Sequence, residues 1–196
     1  MKPRIRIDLM LKCLVFSALV IPCLLGQTPA PPLTDQDAQA VKIFADGVQQ
    51  YMTVQKNVEA SLRPLKPTND PVRISEYEHA LARKLAEARR GAKQGDIFTR
   101  QVTRYFLRVI RSEFLGPEAP LARKTIRQDD PAIVFHRLEV NDVYPENLPL
   151  TNMPPTLLSK LPPLPQNLTY RIVGHDLTLK DSKSGLIVDL IPNAIP

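Results

Sequence analysis

The chain has 196 residues with a formal net charge of +6, and it contains 20 prolines, seven glycines, two cysteines and no tryptophan. Both cysteines lie within the first 26 residues, so the rest of the chain has no thiol for catalysis, metal binding or a disulfide. Serine-nucleophile motifs, glycine-rich phosphate loops and dinucleotide fingerprints are absent, so the sequence gives no support for these classes of enzyme.

The N-terminus has the order of residues that is typical of a secretory signal peptide. Four bases and a single acid occupy the first 12 residues, and an apolar run, 13–25, follows at once. This run contains Pro22 and is too short for a spanning helix, which needs about 20 apolar residues. Because the small residue Gly26 favours cleavage after it, we predict a signal peptide at 1–26 and a mature chain that starts at Gln27.

A cleaved signal peptide predicts export to the periplasm or the extracellular space. An uncleaved membrane anchor and a lipid anchor at Cys23 are alternatives, although Pro22 directly before Cys23 disfavours lipidation. Removal of the signal peptide takes away four bases and one acid, so the formal charge of the mature chain falls to +3. The basic character of the whole chain therefore does not indicate a specific nucleic-acid partner.

A proline-rich leader, 27–33, and a long amphipathic helix follow the signal peptide. The leader has three prolines in seven residues, so we expect extended chain. Thr34 can cap the helix, whose mainly apolar stripe recurs at alternating steps of three and four until Pro64 approaches. The stripe consists of Val41, Ala45, Val48, Met52, Gln55, Val58 and Leu62, and Phe44 and Tyr51 flank it.

Two further amphipathic helices are predicted after the first one. Ser75 and Glu78 have the spacing of a capping box, and an apolar stripe follows them. The third helix can be capped by Asp96 or Thr99, and Gly116, which precedes a proline, ends it.

After Gly116 the composition of the chain changes. The last 80 residues contain 12 of the 20 prolines, and helical periodicity is limited to a short stretch around 121–126. Near the C-terminus, apolar and mostly polar residues alternate in three short runs, which turn signals at 174–175 and 182–185 separate. This pattern predicts two or three antiparallel strands.

Together these elements predict an α+β fold. A bundle of about three helices occupies 34–116, because amphipathic stripes with short connections bury one another most simply in an antiparallel bundle. A proline-rich extended segment, 117–165, joins the bundle to a small antiparallel β-meander at 166–196. The meander is expected to pack on the helices, because so thin a sheet must cover one face.

The C-terminal segment has a set of residues that is typical of a known group of proteins: 161–165, 170–174, Asp176, Leu179, Asp181 and 185–191. These residues resemble the terminal hairpin module of small exported bacterial proteins of unknown function, and 92–98 resembles the same exported group. Their rhythm is also similar to that of periplasmic proteins linked to nickel and cobalt homeostasis. This second resemblance implies metal homeostasis as an alternative function but supplies no metal ligand.

The histidines give little indication of a metal site. The three of them lie in different predicted segments, without the i, i+4 spacing of a helical zinc site: His79, His136 and His175. His175 and Asp176, at a predicted turn, could gather with Asp181 and Asp189 around a divalent cation. Turn residues of these types are also explained by hydrogen bonds to the backbone, so we predict no metal and no cofactor.

A paired-carboxylate hydrolase is a further alternative. The acids that could meet lie in the proline-broken region: Asp129, Asp130, Glu139, Asp142 and Glu146. They have no flanking aromatic residues that could stack on a sugar, and the chain has no tryptophan. The sequence therefore predicts no catalytic residue, and a hydrolase stays the third alternative.

The best-defined candidate site is a row of four arginines on the third predicted helix. Steps of four, four and three place them within about 80° of arc, opposite the apolar residues. We call these residues the arginine stripe: Arg100, Arg104, Arg108 and Arg111. The surrounding stretch, 83–111, has nine bases and two acids and thus carries +7, so the rest of the mature chain carries −4.

Four like charges in a row repel one another unless an anion lies against them. The stripe could be a solvated helix face, could pair internally with the acids of 129–146, or could face an external anion. Such an anion would be an acidic protein, a lipid headgroup layer or a polyanion of the cell envelope. The sequence thus predicts an exported envelope protein with a non-catalytic binding or structural role, and metal homeostasis or envelope stress is the second alternative.

Overall fold

The structure is a computed structural model, and it describes residues 34–117, 119–128, 138–144 and 153–196. The predicted signal peptide and the leader lie outside the described residues. The described helices are α1 (Asp35–Ala60), α2 (Pro71–Ala88), α3 (Arg100–Leu115), α4 (Ala119–Gln128) and α5 (Pro155–Leu158). The described strands are β1 (Leu168–Val173), β2 (Asp176–Asp181) and β3 (Ile187–Ile191).

The order of these elements confirms the predicted α+β class. Several helices come first, and a three-stranded antiparallel sheet with the order β1-β2-β3 lies at the C-terminus. Helix α4 covers the short helical stretch that was expected around 121–126. Within the described ranges, none of the helices has the length and apolar character that crossing a bilayer requires.

Helix α1 begins with a capping box. The side chain of Thr34 accepts a hydrogen bond from the backbone N of Asp37, and the Asp37 carboxylate accepts one from the backbone N of Thr34, both at 3.2 Å. The buried face includes Val48 and Gln55 of the predicted stripe and its flanking residues Phe44 and Tyr51, whereas Ala45 of the stripe is exposed. The centre of the buried face thus lies on the side of the two aromatic rings, which bury more apolar area than an alanine.

Helix α2 begins earlier than the predicted capping box. Asp70 is the cap, because its Oδ1 accepts a hydrogen bond from the backbone N of Val72 (3.0 Å). Pro71 occupies the first helical position, where its fixed φ suits a helix and its missing N–H is not needed. Ser75 consequently lies inside the helix, with its hydroxyl 3.2 Å from Nδ1 of His79.

Helix α3 begins at one of its two predicted caps. The hydroxyl of Thr99 accepts a hydrogen bond from the backbone N of Val102 (3.4 Å), and Gly116 follows the last turn. The other candidate, Asp96, accepts a hydrogen bond from the backbone N of Lys93 (2.8 Å) in the preceding loop. The cap at Thr99 therefore fixes the residue at which α3, the helix that carries the arginine stripe, begins.

The sheet is a meander with a tight first turn. Val173 pairs with Asp176 across a two-residue turn in which Gly174 has a φ of +58°, a conformation that glycine adopts without steric cost. The register between β2 and β3 shifts between Leu179 and Lys180. The segment 138–144 extends the sheet beyond β3. Its backbone lies along the outer edge of β3 and forms hydrogen bonds of 2.8 to 2.9 Å with it and with the turn before it.

The main core lies between one face of the sheet and helices α1 and α3. The ring centroid of Phe106 is 5.1 Å from those of Phe44 and Phe98 and 5.9 Å from that of Tyr170. Each buried side chain of this size stabilises the fold by roughly 1.5–3 kcal/mol. Since Phe106 is in the centre of this cluster, α3 has one fixed face toward the core and the opposite face toward solvent.

Candidate functional site

The arginine stripe lies on the solvent face of α3. Val102, Phe106 and Ile110 recur at steps of four along the helix and are fully buried. All four arginines lie on the other side and are exposed. At a rise of 1.5 Å per residue, the stripe extends over about 16 Å of the helix axis.

Arg108 joins α3 to the first turn of α1. Its Nη1 donates to Oδ2 of Asp37 (3.0 Å), and its Nη2 donates to Oδ1 (2.6 Å), so the pair is bidentate. Asp37 is only 6% exposed, and its hydrogen bond with Arg108 is the main reason why the pKa of its carboxyl is below the usual range. One arginine of the stripe thus has an internal partner, which is not in the acidic region that the sequence offered.

For the other three arginines, the described residues offer no such partner. Within the described parts of the chain, Arg100, Arg104 and Arg111 form neither an ion pair nor a hydrogen bond. The structure therefore contains an exposed row of three guanidinium groups on one helix face, with a fourth that is held by α1.

The acids that were considered as internal partners fall into two groups. Glu139 and Asp142 belong to a local turn, in which the Asp142 carboxylate accepts a hydrogen bond from the backbone N of Glu139 (2.8 Å), and neither pairs with the stripe. Asp129, Asp130 and Glu146 lie outside the described residues. The same acids are the candidates for paired-carboxylate hydrolysis, and of the two described ones the Asp142 carboxylate is bound to the backbone of Glu139.

Asp189, a candidate for a metal site, is fully buried and holds the loop that precedes α3. Its Oδ1 accepts hydrogen bonds from the backbone N of Gly95 (2.9 Å) and of Leu190 (2.8 Å). Its Oδ2 accepts hydrogen bonds from the backbone N of Ile97 (2.9 Å) and of Phe98 (2.7 Å). Burial raises the pKa of this carboxyl although these four donors favour its charged form.

Asp181, the second buried candidate, joins α1 to the turn between β2 and β3. Its Oδ2 accepts hydrogen bonds from the hydroxyl of Tyr51 (2.6 Å) and from the side-chain amide of Gln55. Its Oδ1 accepts hydrogen bonds from the backbone N of Lys183 (2.8 Å) and of Ser184 (2.9 Å). Both buried aspartates therefore use their oxygens on donors of the chain itself.

The remaining candidate ligands also have local partners. Nδ1 of His175 is 2.9 Å from the carbonyl oxygen of Ile195, and the Asp176 carboxylate accepts a hydrogen bond from the backbone N of Asn193 (2.8 Å). His136 lies outside the described residues. In the ranges that the structure describes, no group of three or more histidine, cysteine, aspartate or glutamate side chains is arranged to hold a metal ion.

Two open surface pockets have volumes of about 360 and 280 Å³. The first lies at the start of α2, and its lining includes Arg63, Lys66, Arg73 and a single acid, Glu76. The second lies beside the outer edge of β3, and Glu139 is the acid in its lining. Neither of these two linings contains a histidine or a pair of carboxylates.

The chain matches no protein-family model, and no curated protein and no solved structure matches it. The resemblance of the C-terminal strands to exported proteins of unknown function, and to proteins of nickel and cobalt homeostasis, stays a prediction.

Proposed function

We propose that this chain is an exported, non-catalytic binding protein of the bacterial cell envelope, and that its arginine stripe binds a layer of anionic phospholipid headgroups. The observation that carries the proposal is the exposed row of Arg100, Arg104 and Arg111, which have no anionic partner among the described residues. The predicted signal peptide would bring the chain to membranes outside the cytoplasm.

The stripe destabilises α3 unless an anion lies against it. Arg100 is the first residue of the helix, where the positive end of the helix dipole repels a cation by about 0.3–1 kcal/mol. Like charges at i, i+4, such as those of Arg100 and Arg104, add about 0.2–0.5 kcal/mol of repulsion. No acid in the first turn offsets these effects. A bound anionic surface would remove both.

The chemistry of the stripe fits phosphate groups that lie in a plane. All four residues are arginines, whose planar guanidinium groups bind phosphate through two parallel hydrogen bonds, in contrast to the point charge of lysine. The row lies along one face of a single helix, so several headgroups can be contacted at once. Leu115, four residues after Arg111, is 80% exposed and lies on the same face, where an apolar side chain can insert between headgroups.

The test is cosedimentation of the mature chain, from Gln27 onward, with vesicles that contain phosphatidylglycerol. Each arginine near an anionic surface contributes about 1 kcal/mol, so the variant Arg100→Gln/Arg104→Gln/Arg111→Gln should bind roughly 100-fold more weakly. Binding of the unchanged chain should also weaken as the salt concentration rises, because screening shortens the reach of the charges.

The matched control removes three charges elsewhere. The variant Arg63→Gln/Lys66→Gln/Arg73→Gln loses the same net charge at exposed positions, and it should bind the vesicles nearly as well as the unchanged chain. Equal losses in both variants would mean that only net charge matters and would contradict a specific face. Absence of vesicle binding, together with stripe-dependent capture of an acidic envelope protein, would assign the stripe to a protein partner instead.

A further inference from the structure

A second group of cations lies on the sheet face that is directed away from α1 and α3. Residues of β1 alternate, so that Tyr170 and Ile172 enter the main core and Arg171 lies on the other face. Thr178 of β2 is paired with Arg171, and Lys180 is two residues further along the same strand and the same face. Arg171 and Lys180 are therefore diagonal neighbours on adjacent strands.

Both cations are partly withdrawn from water without a carboxylate partner. Arg171 and Lys180 are half-buried, and neither forms an ion pair within the described parts of the chain. The N–H of Arg171 Nε is buried and has no acceptor, and among the described residues it is the one buried side-chain nitrogen or oxygen without a hydrogen-bond partner. A buried donor without an acceptor destabilises the fold, so an acceptor from a ligand at this position would be bound favourably.

An aromatic ring forms one side of this group. The Nζ of Lys180 is 4.8 Å from the ring centroid of Tyr144, in a segment that lies along the edge of β3. Burial lowers the pKa of Lys180, and the charge of Arg171 lowers it further, against the smaller opposite effects of Glu78 and Asp181. The two cations thus repel each other in a partly dry environment, where an added anion would be bound more strongly than in water.

We propose that Arg171 and Lys180 form a binding site for a phosphate group, either free phosphate or a phosphate monoester. Two positive charges match one phosphate dianion, whereas a single carboxylate would leave one of the cations uncompensated. The guanidinium edge that carries Nε can donate two parallel hydrogen bonds to phosphate oxygens, and Lys180 adds a third donor. Because Arg171 is long and only half-buried, a change of its rotamer can present Nε to a ligand at the surface.

This site is separate from the arginine stripe, which belongs to α3 on the other side of the main core. The proposal therefore does not depend on the vesicle-binding function, and it concerns one small ligand group instead of a surface. The stripe variant Arg100→Gln/Arg104→Gln/Arg111→Gln should accordingly keep the phosphate site intact.

The experiment is calorimetric titration of the mature chain with inorganic phosphate, together with melting curves in phosphate and in sodium chloride of equal ionic strength. We expect saturable binding and a higher melting temperature in phosphate than in chloride, because a ligand of the native state stabilises it. Lys180→Met keeps the apolar stem but removes the charge, and Arg171→Gln removes the guanidinium. Each should weaken phosphate binding at least tenfold.

The controls separate this site from general charge effects. Arg83→Gln removes an exposed cation of α2 that forms no ion pair or hydrogen bond within the described parts of the chain, and it should leave the phosphate affinity unchanged. If Arg171→Gln does not fold, Lys180→Met and the charge-preserving Lys180→Arg, which should retain binding, still test the site. Separate titrations with glycerol phosphate and with free phosphate show which ligand the site prefers. Tighter binding of glycerol phosphate would indicate a headgroup-like monoester, and tighter binding of phosphate would indicate the free ion.

Three results would overturn the proposal. One is a melting temperature that rises no further in phosphate than in chloride. Another is phosphate binding that persists in both Lys180→Met and Arg171→Gln but is lost in the stripe variant. The third is binding of acetate as tight as that of phosphate, which would make the pair a carboxylate site.

Discussion

At the scale of single residues, the buried carboxylate of Asp189 shows how one side chain can fix a loop. It accepts four backbone N–H groups, three of which belong to the 95–98 stretch just before α3. Gly95 has a φ of +91°, which lets the loop turn its N–H inward at a position where other residues would be strained. The start of α3, and with it the direction of the arginine stripe, thus depends on an aspartate about 90 residues later in the chain.

Replacing Asp189 by asparagine should destabilise the protein markedly. Asparagine keeps one acceptor oxygen and puts an NH2 group where the second oxygen was, so buried N–H groups lose their acceptor. We expect a loss of at least about 2 kcal/mol in the free energy of unfolding, measured by urea denaturation. Asp176→Asn, at a half-exposed position with a single backbone donor, is the control and should cost less than about 0.5 kcal/mol. Equal effects of the two changes would contradict the conclusion that Asp189 holds the loop before α3 in place.

The ion pair of Asp37 predicts how stability depends on pH. Because the folded chain holds the pKa of Asp37 below its unfolded value of about 3.9, the stabilisation is complete above that value and is lost as the pH falls through the folded pKa. Melting temperatures of the unchanged chain and of Asp37→Asn should therefore differ at pH 7, and the difference should shrink progressively as the pH falls from about 3.9 through the lower pKa of the folded chain. Arg108→Gln should remove most of the difference at pH 7, and a difference that grows toward low pH would disprove the assignment.

At the scale of elements, α3 combines two kinds of arginine on one face. Arg108 holds the first turn of α1 through a nearly buried carboxylate, whereas Arg104, one turn earlier, has no partner in the described structure. Helix α3 therefore stabilises the packing of α1 through Arg108 and exposes the charge of Arg104 to solvent. A simultaneous reversal of both charges would mix a structural effect with a binding effect.

Separate reversals should distinguish the two roles. Arg108→Glu places a carboxylate against Asp37, so we expect a clearly lower melting temperature and partial recovery in the double variant Asp37→Lys/Arg108→Glu. Arg104→Glu should change the free energy of unfolding by less than about 0.5 kcal/mol, because an exposed charge contributes little to folding. It should weaken vesicle binding nonetheless. A melting temperature that falls equally in both single variants would show that Arg104 also has a structural partner.

At the scale of the whole molecule, the sheet and the helical layer are joined by a few long-range polar contacts around an aromatic core. Tyr51 and Gln55 of α1 bind Asp181, and Arg89, just after α2, donates to the carbonyl oxygen of Val188 in β3 (2.8 Å). The ring of Tyr51 also lies 5.0 Å from the guanidinium carbon of Arg89. These contacts connect helices near the N-terminus to strands near the C-terminus.

The proposed location in the cell envelope depends on the prediction that the protein is exported. If the signal peptide is cleaved, mass spectrometry of the protein from envelope fractions should find an N-terminus near Gln27. Recovery of the protein with Met1 intact would contradict cleavage and favour an uncleaved anchor. A lipid-modified Cys23 as the first residue would favour the lipid anchor instead.

The sequence by itself determined the features that depend on neighbours within a few residues. The alternation of apolar residues at 166–196 predicted a meander, and the steps of four and three from Arg100 to Arg111 placed the stripe on one helix face. The α+β class followed from the order of these local patterns. Even so, the helix begins at Pro71 with Asp70 as its cap, and not at the capping box of Ser75. The prediction missed this start because spacing alone does not rank two competing local signals.

Only the tertiary structure decided what each polar side chain contacts. Asp37 meets Arg108 across 71 positions of the chain, and Asp181 meets Tyr51 across 130. Periodicity predicts the face on which a residue lies, but not which distant element packs against that face. The same reason explains why the sequence showed Asp181 and Asp189 only as possible ligands, and why the cation pair of Arg171 and Lys180 became visible only when the strands were in register.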